Sequence, residues 1–198
     1  MRGGRGSGYF LTGSPGVGKS TIFKAIVEEL SRLGCIVGGI AAPEVREQGR
    51  RIGFKLIDLR TGEEAWLARA GHPSPARVGR YGVLVEEAER LGAGALRRAV
   101  REAHVIGIDE IGPMELLAPG LREAIKEALL SGKPVVGVVH RRLRQRDPEI
   151  YRLVAQVGPV VEVTLENRDK LLASTPEVAS SVAARAGCCE GGQGSDTC

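Results

Sequence analysis

The chain of 198 residues has few aromatic side chains and no long apolar segment. Three Phe, three Tyr and one Trp stand against 28 Gly, so the core has to be built from aliphatic side chains packed close to the backbone. No apolar run approaches the roughly 20 residues of a membrane-spanning helix, and the first residues, MRGGRGSG, lack the apolar region of a secretory signal. We therefore expect a cytoplasmic protein that does not engage a membrane.

Metal-binding cysteine pairs and dense basic stripes are also missing. The cysteines Cys35, Cys188, Cys189 and Cys198 form no CxxC pair, so free thiols in a reducing cytosol are the simplest interpretation. The formal net charge of +4 suits an anionic ligand but falls short of what a dedicated nucleic-acid binder needs. We interpret the basic run at 141–146 as a solvated loop rather than a nucleic-acid site.

Short apolar runs separated by amphipathic stretches predict an α/β fold with a mainly parallel central sheet. The predicted strands are 9–12, 35–42, 105–108, 135–139 and 160–163, and the predicted helices follow Lys19 and cover 86–103, 121–130 and 148–154. One segment departs from this alternation of strands and helices. It contains two strand-like runs, 53–59 and 63–69, on either side of a tight turn, and this pattern predicts an inserted β-hairpin. The segment from Gly71 to Gly79 is predicted to be a loop.

A glycine-rich motif lies between the first predicted strand and the first predicted helix. It satisfies GxxxxGK followed by Ser or Thr, the pattern of a phosphate-binding loop, and its residues are Gly13, Ser14, Pro15, Gly16, Val17, Gly18, Lys19 and Ser20. The glycines let successive backbone N–H groups turn toward phosphate oxygens, and Lys19 is expected to neutralise the β- and γ-phosphates. Ser20 is the predicted Mg²⁺ ligand, and Thr21 is predicted to contact the α-phosphate.

The strand that begins at Val105 ends in two adjacent carboxylates, which is the form of a Walker B motif. Asp109 is predicted to hold Mg²⁺, and Glu110 is predicted to orient or deprotonate the attacking water. The nucleotide-handling stretch predicted here consists of Ile106, Gly107, Ile108, Asp109, Glu110, Ile111, Gly112 and Pro113. A carboxylate that holds the metal beside a carboxylate that acts as a base indicates hydrolysis. Glu110 and Lys19 are the predicted catalytic residues.

Other candidates have weaker signals. Asp109 to Gly112 also fits the DxxG switch of regulatory GTPases, but the chain has no NKxD guanine-recognition sequence, so a relaxed base preference is expected. A cation for the transition state could come from one of several arginines near strand ends, namely Arg46, Arg50, Arg51, Arg77 and Arg80. His140 follows a predicted strand and is an outside candidate for reaching a phosphate.

Five blocks of sequence together resemble the small nucleoside-triphosphatase family first described from thermophilic prokaryotes, which has a human cancer-related relative. The blocks are FLTGSPGVGKST at 10–21, EVREQGRRIGF at 44–54, RVGRY at 77–81, IDEIGPMEL at 108–116 and LENRDKLL at 165–172. The resemblance implies a three-layer RecA-like P-loop fold and slow, Mg²⁺-dependent hydrolysis of several nucleoside triphosphates. It also makes Arg46, Arg51, Asn167 and Arg168 candidates for site-facing residues.

We accordingly expect a P-loop domain over 1–175, a helical extension at 176–186 and a disordered Gly/Cys-rich tail at 187–198. The substrate partner is a nucleoside triphosphate, and an activating protein partner stays open. Two alternatives also stay open. The same loop would serve a kinase that phosphorylates a nucleoside or nucleotide, and the basic run would suit a nucleotide-dependent RNA- or DNA-binding module.

Overall fold

The apolar runs of the sequence form the centre of one large sheet in the computed structural model, which describes residues 8–188. The strands are β1 (Tyr9–Gly13), β2 (Val37–Ala41), β3 (Glu44–Glu47), β4 (Arg50–Asp58), β5 (Glu64–Ala70), β6 (Arg77–Val78), β7 (Tyr81–Val83), β8 (Val105–Ile111), β9 (Val135–Val139) and β10 (Val160–Val163). The helices are α1 (Lys19–Arg32), α2 (Val85–Glu87), α3 (Gly94–Glu102), α4 (Pro113–Leu116), α5 (Pro119–Leu130), α6 (Leu143–Arg146), α7 (Pro148–Val157), α8 (Arg168–Ala173) and α9 (Thr175–Ala186), with a π-helical segment (Ala88–Ala93) between α2 and α3.

The strand order is β10-β1-β9-β8-β2-β4-β5-β7-β6, with β3 paired to β4. The first five strands in this order run parallel to one another, and the remaining pairs are antiparallel. This arrangement confirms the predicted α/β P-loop fold with a mainly parallel sheet. One strand, β9, lies between β1 and β8, so the two predicted motifs are brought to the same sheet edge with one strand separating them.

Two aliphatic clusters cover the two faces of the sheet. Neighbouring residues of one strand belong to different clusters, as with Phe10 and Leu11 of β1, because successive side chains of a strand point to opposite faces. Helices α3, α5 and α7 supply the cluster that contains Phe10, and α1 and α9 supply the cluster that contains Leu11. Both faces are thereby buried, which explains why the strands are continuous apolar runs.

The inserted hairpin is larger than predicted. Strands β4 and β5 pair antiparallel as expected, and β3, β6 and β7 widen the hairpin into a five-stranded arm. The prediction of a loop from Gly71 to Gly79 is wrong at its end, because Arg77 and Val78 pair with β7. A two-residue strand has no periodicity that a sequence pattern can reveal.

The cysteine interpretation is also wrong. Cys35 and Cys188 form a disulfide across 153 residues of sequence, with their Cα atoms 5.1 Å apart. The two residues meet because α9 packs on α1, and that packing brings the end of the described chain beside the segment that enters β2. The tail predicted at 187–198 lies outside the described residues except for Gly187 and Cys188.

The predicted helices are present with slightly different ends. Helix α5 begins two residues earlier than predicted and α7 ends three residues later, whereas the stretch predicted at 86–103 is helical only to Glu102 and contains the π-helical segment. The basic run at 141–146 ends in the short helix α6, which is anchored by the buried Leu143. Within residues 8–188, no helix combines the length and the apolar character that crossing a bilayer requires.

Candidate functional site

The glycine-rich motif forms the turn between β1 and α1. Gly13, Gly16 and Gly18 have φ values of 142°, 76° and 113°, in the left-handed region that favours glycine. Gly13 is further restricted by Val163 of β10, because a Cβ placed on Gly13 would lie 2.5 Å from the Val163 carbonyl oxygen. The loop can therefore follow this path only with glycine at these positions.

The turn ends in a helix N-terminus that is ready to bind an anion. Helix α1 begins at Lys19, its N-cap Gly18 has no capping side chain, and no acidic residue lies in its first turn. The first N–H groups of a helix have no intrahelical acceptors, and they carry the positive end of the helix dipole. The Lys19 ammonium group lies over the loop and donates hydrogen bonds to the carbonyl oxygens of Gly13 (3.1 Å) and Ser14 (2.9 Å).

The two adjacent carboxylates lie within β8 rather than at its end. Strand β8 continues past Glu110 to Ile111, whose side chain is fully buried and whose backbone pairs with Val139. The pairing shifts by one residue between Asp109 and Ile111, which makes Glu110 the extra residue of a β-bulge. A bulge of this kind redirects side chains locally and is common beside active sites.

Burial raises the pKa of both carboxylates. Asp109 is 8% exposed, and desolvation raises its pKa, while a hydrogen bond with Ser20 and the charge of Lys19 act in the opposite direction. Desolvation raises the pKa of Glu110 to about 7; the Lys19 charge lowers it in part, and the Asp109 charge adds to the rise. The structure therefore brings Lys19, Ser20, Asp109 and Glu110 together.

The donor set at this point suits a magnesium ion. The Ser20 hydroxyl lies near enough to the Asp109 carboxylate to lower its pKa, so two oxygen ligands converge beside the phosphate loop. Within residues 8–188 no cluster of three or more His, Cys, Asp or Glu side chains is placed to hold a metal. Mg²⁺ is usually held by one or two protein oxygens together with substrate phosphates and water.

His140 follows β9 and faces the same region. Its backbone N–H donates to the Ile111 carbonyl oxygen (3.1 Å), and its Nδ1 accepts a hydrogen bond from the Arg142 backbone N–H (3.2 Å). Desolvation lowers the His140 pKa, and the nearby charges of Arg146, Arg141, Lys19 and Arg142 lower it further. The ring is therefore neutral at pH 7, with its proton on Nε2.

The predicted arginines have their contacts in the five-stranded arm. Arg46 and Arg51 both pair with Glu44, and the Arg80 guanidinium donates to the Arg51 carbonyl oxygen and stacks on the Tyr81 ring. The arm therefore provides a partner for each of these three guanidinium groups, while the buried Nε of Arg51 has no hydrogen-bond partner among residues 8–188.

The Asn167 amide shapes the turn after β10. Its Oδ1 accepts from the Thr164 N–H at 2.8 Å, and its Nδ2 donates to the Glu162 carbonyl oxygen at 2.9 Å. This turn starts beside the phosphate loop, because Val163 pairs with Gly13. The neighbouring Arg168 side chain pairs with Asp169 at the surface. Asn167 thus holds a segment that borders the loop.

Glu115 was not among the predicted site residues. This residue of α4 is only 5% exposed, and a Cβ placed on Gly112 would lie 3.1 Å from its Oε2 and 3.2 Å from Oε1 of Glu110. Burial raises the pKa of Glu115 to about 8, and the charge of Glu110 adds to this rise. The available signal was a glutamate flanked by Met114 and Leu116 directly after the Walker B motif.

Comparisons with known proteins identify the family of the chain. A sequence model of the family described as NTPase matches residues 8–175. The nucleoside-triphosphatase THEP1 of Thermofilum pendens is 46% identical over 177 residues, which cover 88% of this chain and 94% of that protein. The enzyme of the same name from Methanopyrus kandleri is 45% identical over 163 residues, covering 81% of this chain and 88% of that protein.

Two solved structures resemble the fold. The crystal structure of THEP1 from Aquifex aeolicus superposes with a TM-score of 0.73 at 35% identity and covers 87% of this chain and 98% of its own. The solution structure of a human cancer-related nucleoside triphosphatase superposes with a TM-score of 0.72 at 33% identity and covers 89% of this chain and 97% of its own.

Proposed function

The chain belongs to the nucleoside-triphosphatase family and is an NTP hydrolase, and on that premise we propose that it hydrolyses several nucleoside triphosphates, ATP and GTP among them, with Mg²⁺. The observation that carries this proposal is the position of the Glu110 carboxylate, on a bulge of β8 beside Asp109 and within the field of Lys19. Attack by water on a phosphate requires a general base for the water and a cation that neutralises phosphate charge, and Glu110 and Lys19 can supply these two groups.

In the proposed reaction the loop from Gly13 to Thr21 binds the phosphates through its backbone N–H groups. Lys19 then neutralises charge on the β- and γ-phosphates, and Glu110 accepts a proton from the water that attacks the γ-phosphorus. The bond between that phosphorus and the β–γ bridging oxygen breaks, which leaves a nucleoside diphosphate and inorganic phosphate. A pKa of about 7 keeps Glu110 basic enough to take the proton yet partly ionised at neutral pH.

Ser20 and Asp109 would hold the magnesium ion, Asp109 through a coordinated water. When bound, the ion neutralises charge on the β- and γ-phosphate oxygens. The absence of an NKxD sequence favours relaxed base choice, so the proposed substrates include both purine and pyrimidine nucleotides. Arg46 and Arg51 of the arm already pair with Glu44, which favours slow intrinsic turnover and leaves room for a partner that supplies a cation in trans.

The proposal includes a cytoplasmic location, because nucleoside triphosphates are intracellular compounds. The structurally similar THEP1 of Aquifex aeolicus comes from a hyperthermophile. Intracellular proteins of hyperthermophilic prokaryotes are rich in disulfides, so the Cys35–Cys188 disulfide is compatible with this location.

The test is phosphate release from ATP, GTP, CTP and UTP by the purified protein, with Mg²⁺ and with EDTA. We expect release from all four that depends on Mg²⁺. Release from a single nucleotide would refute relaxed base choice, and undiminished release in EDTA would refute the metal assignment. Addition of nucleosides and nucleoside monophosphates tests the kinase alternative, which predicts that phosphate appears on the acceptor faster than in water.

A further inference from the structure

A groove of about 470 Å³ opens beside the catalytic carboxylates, between the arm, α4 and the start of α7. Its lining residues are Arg77, Val78, Gly79, Pro113, Leu116, Leu117, Arg146 and Asp147. We call it the α4 groove. Its volume is within the range of sites that hold small molecules, about 300–1,000 Å³.

One wall of the α4 groove is apolar. Pro113, Leu116 and Val78 contribute aliphatic surface, and Leu117, which is 39% exposed, adds to it. Flat aliphatic surface of this kind suits the face of a ring. The rest of the lining is charged, so the groove can hold a ligand that has an apolar part and a charged part.

The charge of the groove is positive. Arg77 is fixed in place by donating to the His72 carbonyl oxygen (3.1 Å) and the Arg80 carbonyl oxygen (3.4 Å). Arg146 has no carboxylate partner among residues 8–188. The only acidic residue of the lining, Asp147, accepts two hydrogen bonds from Arg122, which compensates its charge. Two guanidinium groups therefore remain to attract an anion, and guanidinium matches phosphate geometry.

The groove is adjacent to the hydrolytic site through α4. Pro113 lines the groove and directly follows Gly112, which lies against the side chains of Glu110 and Glu115. The same short helix thus presents Glu115 toward the catalytic carboxylate and Leu116 toward the groove. A ligand in the groove would contact the helix that neighbours Glu110 without occupying the phosphate loop.

We propose that the α4 groove binds a second small ligand, of the class that joins a flat ring to a phosphate monoester, while the phosphate loop holds the nucleoside triphosphate. Nucleoside monophosphates belong to this class. The ring lies on Leu117 and its apolar neighbours, and the phosphate pairs with Arg146 and Arg77. This second site rests on the proposed function in one respect, namely that the nucleoside triphosphate binds at the phosphate loop.

The experiment uses the full-length protein with its phosphate loop saturated by a non-hydrolysable ATP analogue and Mg²⁺. Isothermal titration with AMP should then show saturable binding, and adenosine and inorganic phosphate should each bind at least about tenfold more weakly, because each lacks one half of the interactions. Arg146→Ala should weaken AMP binding at least about tenfold. Arg144→Ala, which removes an exposed arginine of the same helix outside the groove, should leave it unchanged.

Three results would overturn the proposal: no saturable AMP binding beside the analogue, displacement of the analogue by AMP, or equal losses in Arg146→Ala and Arg144→Ala. Failure of the analogue itself to bind would count against the phosphate loop instead. In that case the AMP titration of the two arginine variants, without analogue, still decides whether the groove is a site.

Discussion

Replacement of the buried Glu115 by glutamine should stabilise the protein by an amount that grows with pH. The side chain is 5% exposed, and burial raises its pKa from 4.5 to about 8, because the Gly112 and Glu115 backbone N–H groups offset only part of the desolvation. The folded state therefore holds this carboxyl protonated over a range in which the unfolded chain ionises it. The glutamate lowers the stability progressively as the pH rises from 4.5 toward 8.

The magnitude follows from the two pKa values of Glu115. One pKa unit corresponds to about 1.4 kcal/mol, so ionisation of Glu115 in the unfolded chain lowers the free energy of unfolding by about 1 kcal/mol at pH 5 and by about 4 kcal/mol at pH 7.5. Glutamine has nearly the same shape but does not titrate. Whatever constant effect the amide has, the stability difference between Glu115→Gln and the unchanged protein should grow by about 3 kcal/mol between these two pH values.

The assay is guanidinium chloride unfolding of both proteins at pH 5 and pH 7.5, with the disulfide intact. Glu102→Gln, at an exposed position of α3, is the matched control and should show no comparable pH-dependent gain. A stability difference for Glu115→Gln that is equal at the two pH values, within about 0.5 kcal/mol, would refute the reasoning.

Three further substitutions test other parts of the structure. Cys35→Ser should lower the free energy of unfolding by about 3–5 kcal/mol, because the lost disulfide closes a loop of 153 residues; equal stability under oxidising conditions would contradict this. Gly13→Ala should lower the free energy of unfolding by about 2 kcal/mol and weaken nucleotide binding, since the new Cβ would lie 2.5 Å from the Val163 carbonyl oxygen. Gly94→Ala is the control, because a Cβ at this helical position meets open space, and it should be tolerated in the same unfolding assay. Lys19→Ala should weaken triphosphate binding in a titration as well as slow phosphate release, and unchanged affinity would count against the phosphate loop.

The elements with strong local signals could be predicted from sequence. Strands β9 and β10 have their predicted bounds, and the loop from Gly13 to Ser20 lies between strand and helix as its glycine spacing requires. The hairpin of β4 and β5 was evident from two strand-like runs around a tight turn. Each of these patterns depends on residues close together in the sequence.

What could not be predicted depends on contacts distant in sequence. The disulfide of Cys35 with Cys188 exists because α9 packs on α1, and nothing near either cysteine indicates it. The burial of Glu115 depends on how α4 lies against β8. The short strands of the arm form only by pairing with neighbours, β3 with β4, β7 with β5, and β6 with β7. A local pattern gives the identity of a carboxylate, but only the tertiary structure gives its pKa.

The most direct test of the proposed mechanism is the Glu110→Gln variant. Nucleotide affinity and phosphate release are measured on the same preparation, with Mg²⁺, beside the unchanged protein. We predict that release falls at least about 100-fold, because the base acts on water in the transition state, while ATP affinity changes less than about threefold. Full turnover by Glu110→Gln would contradict the assignment of Glu110 as the base.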